Sequence, residues 1–255
     1  MRIAVFSDIH GNLPALEAVW ADLQNAQPDA VYCLGDLVNL GPWPNEVVEF
    51  IRGRRISSLM GNHDQGIGQG VPEFPFSYQT EEEHEAGLRA IAFTNATLKE
   101  SNRQYLQTLP LQLTLTFNPA FGTQALVLTH GSPASINEYV FEDCPEPHLV
   151  QLMGQANAKV LLMGHTHRPY IRRFILDEGA ARLTKLAVNV GSVGKPKDGD
   201  PRAAYALLTI LPLKEDLVSA LDVQIKRVPY NVQQVQQAIR ASGLPDLYAQ
   251  LLTNA

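Results

Sequence analysis

An α/β fold is the class this sequence predicts, on three observations. Short runs rich in Val, Leu and Ile recur at Arg2–Ser7, Ala30–Leu34, Ile56–Met60, Ala125–Thr129 and Val160–Met163. Continuous apolar runs of this length suit strands buried on both faces. Helical stretches separate the first three of them, and strand–helix–strand–helix–strand is the signature of a βαβ sheet. Beyond residue 170 the pattern changes to strands joined by turns. That change predicts a mostly antiparallel second sheet, packed face to face on the first.

The elements follow in order. After the first strand, Asn12 is placed as an N-cap with Pro14 in the first turn, and Leu13, Leu16, Trp20 and Leu23 fall on one helical face. A second helix covers Glu46–Arg52, behind the breaker Gly41-Pro42-Trp43-Pro44. Residues 65–110 belong to neither sheet. They open as a Gly-rich loop (Gly66-Ile67-Gly68-Gln69-Gly70) followed by Phe74, Phe76 and Tyr78, then a helix start at Glu81–Glu85 and a helix near Leu98–Leu109. Insertions this long are lids or docking surfaces, or else helical pairs covering a sheet edge. In the second half, Tyr170–Leu176, Leu183–Val190, Ala203–Leu211 and Leu217–Val228 read as strands, with a turn at Asp177-Glu178-Gly179. Helices over Asn231–Ala241 and Asp246–Leu252 close a chain read as one domain, 1–255, with residues 65–110 as a helical cap insertion and 231–255 as C-terminal helices.

Composition narrows the class of function. The chain has 255 residues, 45% of them hydrophobic and 18% charged, which is ordinary for a soluble globular protein. No apolar run approaches the ~20 residues of a membrane span, and Ile3–Phe6 is too short for a signal-peptide core. Two distant cysteines, Cys33 and Cys144, make no disulfide framework, so a reduced, cytoplasmic protein is expected. A net charge of −6 argues against a nucleic-acid-coating surface. It leaves room for a small phosphorylated or nucleotide substrate, because bound divalent ions invert the local field. The aromatic loop and the C-terminal helices are candidate contacts for a homo-oligomer.

Each of the five apolar runs ends in a short polar knot. The knots are Asp8-Ile9-His10-Gly11, Gly35-Asp36, Gly61-Asn62-His63-Asp64, His130-Gly131 and Gly164-His165-Thr166-His167. In open α/β sheets the crevice beyond the carboxyl ends of strands is where ligands bind. Asp, His and Asn are ligands for transition metals, and there are too many here for one tetrahedral site. The pattern asks for a two-metal centre, above all a device for hydrolysing phosphate esters. Taken singly, each knot reads as an ordinary turn or a hydrogen-bonded histidine. Five in this order do not. His84 and His148 match no knot and read as surface positions.

The five knots match, in order, the motifs D-x-H, G-D, G-N-H-D/E, H and G-H-x-H, and the chain thereby resembles the calcineurin-like metallophosphoesterases. The Gly35-Asp36-Leu37-Val38 and Asn189-Val190-Gly191-Ser192-Val193-Gly194 segments are similar to those of small bacterial and archaeal members. The resemblance implies a four-layer α/β/β/α sandwich with two central mixed sheets. It puts Asp8, His10, Asp36 and His167 on one ion, and Asp36, Asn62, His130 and His165 on a second, with Asp36 bridging. It implies two divalent transition-metal ions (Mn, Fe, Zn or Ni), ~3.5–4 Å apart, activating a hydroxide that attacks phosphorus in line. His63 is left to protonate the leaving oxygen or stabilise its charge. The protein Ser/Thr phosphatases carry an Asp where this chain has Asn39, so His63 is expected to be less basic. A phosphomonoesterase or phosphodiesterase follows, with a dinucleoside polyphosphate hydrolase or a non-catalytic scaffold as rivals. Asn12 and Arg168 are candidate substrate contacts, Asn12 with helix capping as its other role. The Gly191–Gly194 segment either presents backbone N–H groups to the site or is a tight turn.

Overall fold

A computed structural model describes residues 1–117, 124–178, 181–211 and 216–253. Among them lie ten strands and nine helices. One sheet has the order β10-β9-β1-β2-β3: Leu221–Val228, Ala203–Ile210, Arg2–Phe6, Ala30–Cys33 and Ser57–Ser58. The other has the order β4-β5-β6-β8-β7: Gln112–Thr116, Ala125–Thr129, Ala158–Met163, Ala181–Asn189 and Tyr170–Glu178. Both are mixed. β1, β2 and β3 run parallel, β9 pairs antiparallel with β1, and β10 pairs antiparallel with β9. β5, β6 and β8 run parallel between the antiparallel edges β4 and β7.

The sheet assignment departs from the sequence reading. The five apolar runs do not share one sheet, and the later strands do not form an antiparallel sheet of their own. Each sheet takes strands from both halves, because the pattern of a run fixes its burial but not its neighbour.

Four layers result, as the family resemblance implied. Ile3 and Val5 face Leu126, Leu128, Val160, Leu162 and Val188 across the inter-sheet core. Ala4 and Phe6, on the other face of β1, pack under α1 (Leu13–Ala26) and α2 (Pro44–Gly53). Beyond the second sheet, Leu149, Leu152 and Met153 of α6 (Glu146–Gln155) cover Val127, Leu161 and Ala187. β1 and β5 are buried on both faces, which is why their sequences show no alternation.

The region 65–110 holds the largest local correction. The Gly-rich stretch is not a loop: Asn62–Gln69 forms helix α3, followed by α4 (Glu81–Thr97) and α5 (Glu100–Gln107). Gly66 permits close approach, since a Cβ there would overlap the ring of Phe74. The predicted strand at Leu217–Val228 begins one turn late. The Asp216 carboxylate accepts from Ser219 N and nucleates α7 (Leu217–Ala220). β4 alternates exposed and half-buried residues and α6 buries Leu149, Leu152 and Met153 at helical spacing, yet the sequence reading assigns neither element. Gly179 of the expected 177–179 turn lies outside the described residues, between the antiparallel strands β7 and β8. The C-terminal helices are α8 (Val232–Ser242) and α9 (Asp246–Leu251), and α9 packs near α4. No helix among the described residues is long and apolar enough to cross a membrane.

Candidate metal centre and cleft

All five knots converge at the carboxyl ends of β1, β2, β3, β5 and β6, the crevice where the two sheets meet. The backbone there is costly. Asp8, His10, Asp36, Asn39, His165 and His167 all have φ between 50° and 71°. Non-glycine residues held in this region cost ~1–3 kcal/mol each and persist only where the surroundings over-determine them. Asp, Asn and His tolerate it better than most. Hydrogen bonds tie the knots together: Asp8 N donates to Gly35 O and His10 N to Asp36 O. His165 N donates to Asp8 Oδ2 (3.0 Å). Asp64, fully buried, accepts from Leu37 N and Gly61 N (2.8 and 3.0 Å) and so locks the second knot to the third.

The side chains form two groups sharing one atom. In the first, His167 Nε2 lies 3.2 Å from Asp8 Oδ1 and 3.1 Å from His10 Nε2. In the second, His130 Nε2 lies 3.1 Å from Asn62 Oδ1, and His165 stands beside the His130 ring at 5.0 Å between centroids. Asp36 Oδ2 joins them, 3.6 Å from His10 Nε2 and 3.4 Å from His130 Nε2, while Oδ1 accepts from His63 N. Metal-competent triads are Asp8–His10–His167, His10–Asp36–His63 and Asp36–His130–His165.

These donors suit cations and little else. His167 donates from Nδ1 to Lys195 O, and His130 Nδ1 contacts Leu34 O at 3.0 Å. Those contacts leave each neutral ring with a lone pair at Nε2, aimed at Asp8 Oδ1 and at Asn62 Oδ1. Acceptors facing acceptors in a buried site need a shared positive charge. Asp8 Oδ1, Asp36 Oδ2 and His165 Nε2 are buried with no hydrogen bond. Among the histidines, His165 and His10 are held neutral, whereas the Asp36 carboxylate favours a proton on His130. Burial pushes His165 down to about 3, and burial with neighbouring histidines holds His10 well below the usual range. His130 resists burial and is raised to about 9 by the Asp36 carboxylate. Burial would raise the Asp36 carboxyl, yet His130 and His63 hold it well below the usual range.

His63 is oriented differently. Asn39 Oδ1 accepts from Leu40 N (2.9 Å) and from Thr94 Oγ1 on α4 (3.2 Å). That leaves the Asn39 amide N–H pointing at His63 Nδ1, 2.9 Å away. Nδ1 therefore accepts, and the proton of the neutral ring sits on Nε2, facing Asp36 Oδ2 at 3.9 Å. Burial lowers His63 to about 4. The departure at Asn39 thus fixes the tautomer.

Above the metal groups opens a cleft of about 340 Å³. The cap supplies Phe76, Ser77, Tyr78 and Glu83, and α9 supplies Leu247, Tyr248 and Leu251. The Tyr139 ring stacks on His165 (3.9 Å, 23°), and its hydroxyl accepts from Ser77 N. The aromatic loop is folded inward over the cleft. Arg168 lines the cleft and is held by Nε donating to Lys197 O. Asn12 does not line it: its Oδ1 caps Ala15 N and its Nδ2 donates to Gly194 O. The structure gives Asn12 the capping role. Val193 N and Gly194 N donate to Ser7 O and Asp8 O, so Gly191–Gly194 is a clamp behind the first knot, not a nest of free amides. His84 and His148 lie on α4 and α6, each beside a glutamate. Tyr139, Thr94, Lys195 and Lys197 had no sequence signal beyond residue type.

The family model for the calcineurin-like phosphoesterase superfamily domain matches residues 1–211. The chain belongs to this superfamily. It is 32% identical over 254 residues to the uncharacterised protein MJ0912 of Methanocaldococcus jannaschii, covering 96% of this chain and 94% of that one. It is 27% identical to phosphodiesterase YfcE of Escherichia coli K12 over 82% of this chain and 87% of YfcE. The crystal structure of a metallophosphoesterase from Sphaerobacter thermophilus superposes with a TM-score of 0.73 at 29% identity, covering 100% of this chain and 98% of that one. The chain is accordingly a metallophosphoesterase, a hydrolase of phosphate esters.

Proposed function

We propose that this phosphoesterase hydrolyses a small phosphomonoester or phosphodiester at a dinuclear metal centre. Asp8, His10, Asp36 and His167 would hold one ion, and Asp36, Asn62, His130 and His165 the other. The observation that carries the reading is Asp36 Oδ2, unbonded and aimed at histidine nitrogens of both groups. Divalent ions there would neutralise phosphoryl charge and acidify a water to near neutral pH. The chain's own residues do the rest. Asp8 and Asp36, held ionised, keep the centre anionic enough to retain cations. His63 presents Nε2–H toward the phosphoryl group as a neutral donor. It stabilises developing charge and does not release a proton, since its cation would need a hydrogen where Asn39 already donates.

The cap formed by residues 65–110 would close over the cleft and select the leaving group, within a single domain spanning 1–255. Both cysteines are free, which suits a reducing cytoplasm. The name of YfcE favours a diester. Turnover of bis-p-nitrophenyl phosphate and of p-nitrophenyl phosphate by the Mn-loaded chain tests the reading. Hydrolysis of either, abolished in Asp36→Asn, supports it; metal-bound protein without turnover of any phosphate ester contradicts it.

A further inference from the structure

Three cationic side chains line one wall of the cleft: Arg168, Lys195 and Lys197. None pairs with a carboxylate among the described residues. Lys195 Nζ instead lies 5.3 Å from the Tyr248 ring centre, and Arg168 lies over Phe141 at 5.8 Å. The wall is bound to the metal floor. Lys195 O accepts from His167 Nδ1, Lys197 N donates to His167 O, and Lys195 N donates to Ser192 Oγ. Two lysines on a solvated face would point outward on a loose loop. These are held half-buried, one hydrogen bond from a metal-group histidine.

Charge decides what the wall is for. On the reading above, two divalent ions with the carboxylates of Asp8 and Asp36 and the hydroxide they would generate leave one net positive charge, which the phosphoryl group of a diester balances. Beyond the floor the three cations face a single carboxylate, Glu83, whose side chain accepts from Gln79 N. Two positive charges remain uncompensated. We propose that Lys195, Lys197 and Arg168 form a second anion subsite, and that the substrate carries a second phosphoryl group besides the one hydrolysed. The proposal rests on the phosphoesterase reading of the same cleft.

A second phosphoryl group can be a separate ester on the same molecule or part of an anhydride chain. Calorimetry on the Mn-loaded full chain at fixed free Mn separates them, with AMP as reference and adenosine 3′,5′-bisphosphate and ADP as the two arms. The doubly phosphorylated ligand of one arm should bind at least about tenfold tighter than AMP, the worth of a charge-assisted hydrogen bond or two. Lys195→Met with Lys197→Met should remove that preference, and Lys195→Arg with Lys197→Arg should restore most of it. Preference for ADP assigns the anhydride, and preference for the bisphosphate assigns the separate ester. Equal binding of all three ligands, or a preference that survives the double methionine variant with its melting temperature intact, overturns the subsite. The binding readout needs no turnover, so loss of the subsite and loss of the phosphoesterase reading show separately: the latter would appear as no hydrolysis of any phosphate ester.

Discussion

The floor and the walls of the cleft are built on opposite principles. The floor is backbone: five strand ends tied together by amide hydrogen bonds, three of them bent through left-handed conformations at Asp8 and His10, at Asp36, and at His165 and His167. The walls are side chains on ordinary helices and loops: Phe76, Tyr78 and Glu83 from the cap, Tyr248 from α9, and Lys195 and Lys197 from the clamp loop. A strained floor locked by hydrogen bonds holds the ligand atoms in place and so sets the reaction. Walls of side chains can change residue by residue without disturbing it, and on the proposed reading the substrate is chosen there.

The largest break should come from the atom both metal groups share. Asp36→Asn removes a carboxylate from each group, and activity should fall by more than the ~10²–10³ that one lost transition-state donor costs. Metal content by atomic emission should fall in parallel. A smaller but still large loss is expected from the floor's backbone. A Cβ at Gly61 would overlap Asp36 Oδ1, so Gly61→Ala should cost ~1–3 kcal/mol of stability by overpacking. Chemical denaturation with an activity assay measures both.

Asn39→Asp tests the tautomer. In the wild type, neutral His63 carries its proton on Nε2 at every pH above about 4, so His63 adds no alkaline limb to the rate. A carboxylate at position 39 would take an Nδ1–H and raise the His63 pKa. Nε2 then bears hydrogen only in the cation, and kcat should fall as pH rises through the raised value. A flat profile in the variant would remove the donor role.

Metal-stripped protein gives a gentler effect. His63 and His165 have folded pKa values of about 4 and about 3, below the unfolded value of ~6.5. The unfolded chain therefore binds more protons, and their contribution is lost as pH falls from 6.5 toward 4. His130, raised to about 9, contributes fully below 6.5 and is lost as pH rises through 9. Melting temperature after chelation should fall as pH drops from 6.5 toward 4. At the walls, Phe76→Ala should raise KM severalfold while kcat holds, read from steady-state kinetics on p-nitrophenyl phosphate.

Legibility in the sequence follows the same division. The floor could be read because its chemistry needs Asp, His and Asn at strand ends, and a residue-type requirement leaves a mark in one sequence. Which strand joined which sheet left no such mark, so β9 and β10 were assigned to the wrong partners. Gly66 looked like a loop residue because a glycine kept for close packing is indistinguishable from one kept for a turn. The wall residues Tyr139, Lys195 and Lys197 are common types with no required spacing. Only packing brings them to the cleft.

The most direct test of the central claim is an anomalous-difference map from crystals grown with Mn. The account predicts two peaks ~3.5–4 Å apart, one beside Asp8, His10 and His167, the other beside Asn62, His130 and His165, with Asp36 between them. A single peak, or peaks away from Asp36, would contradict it.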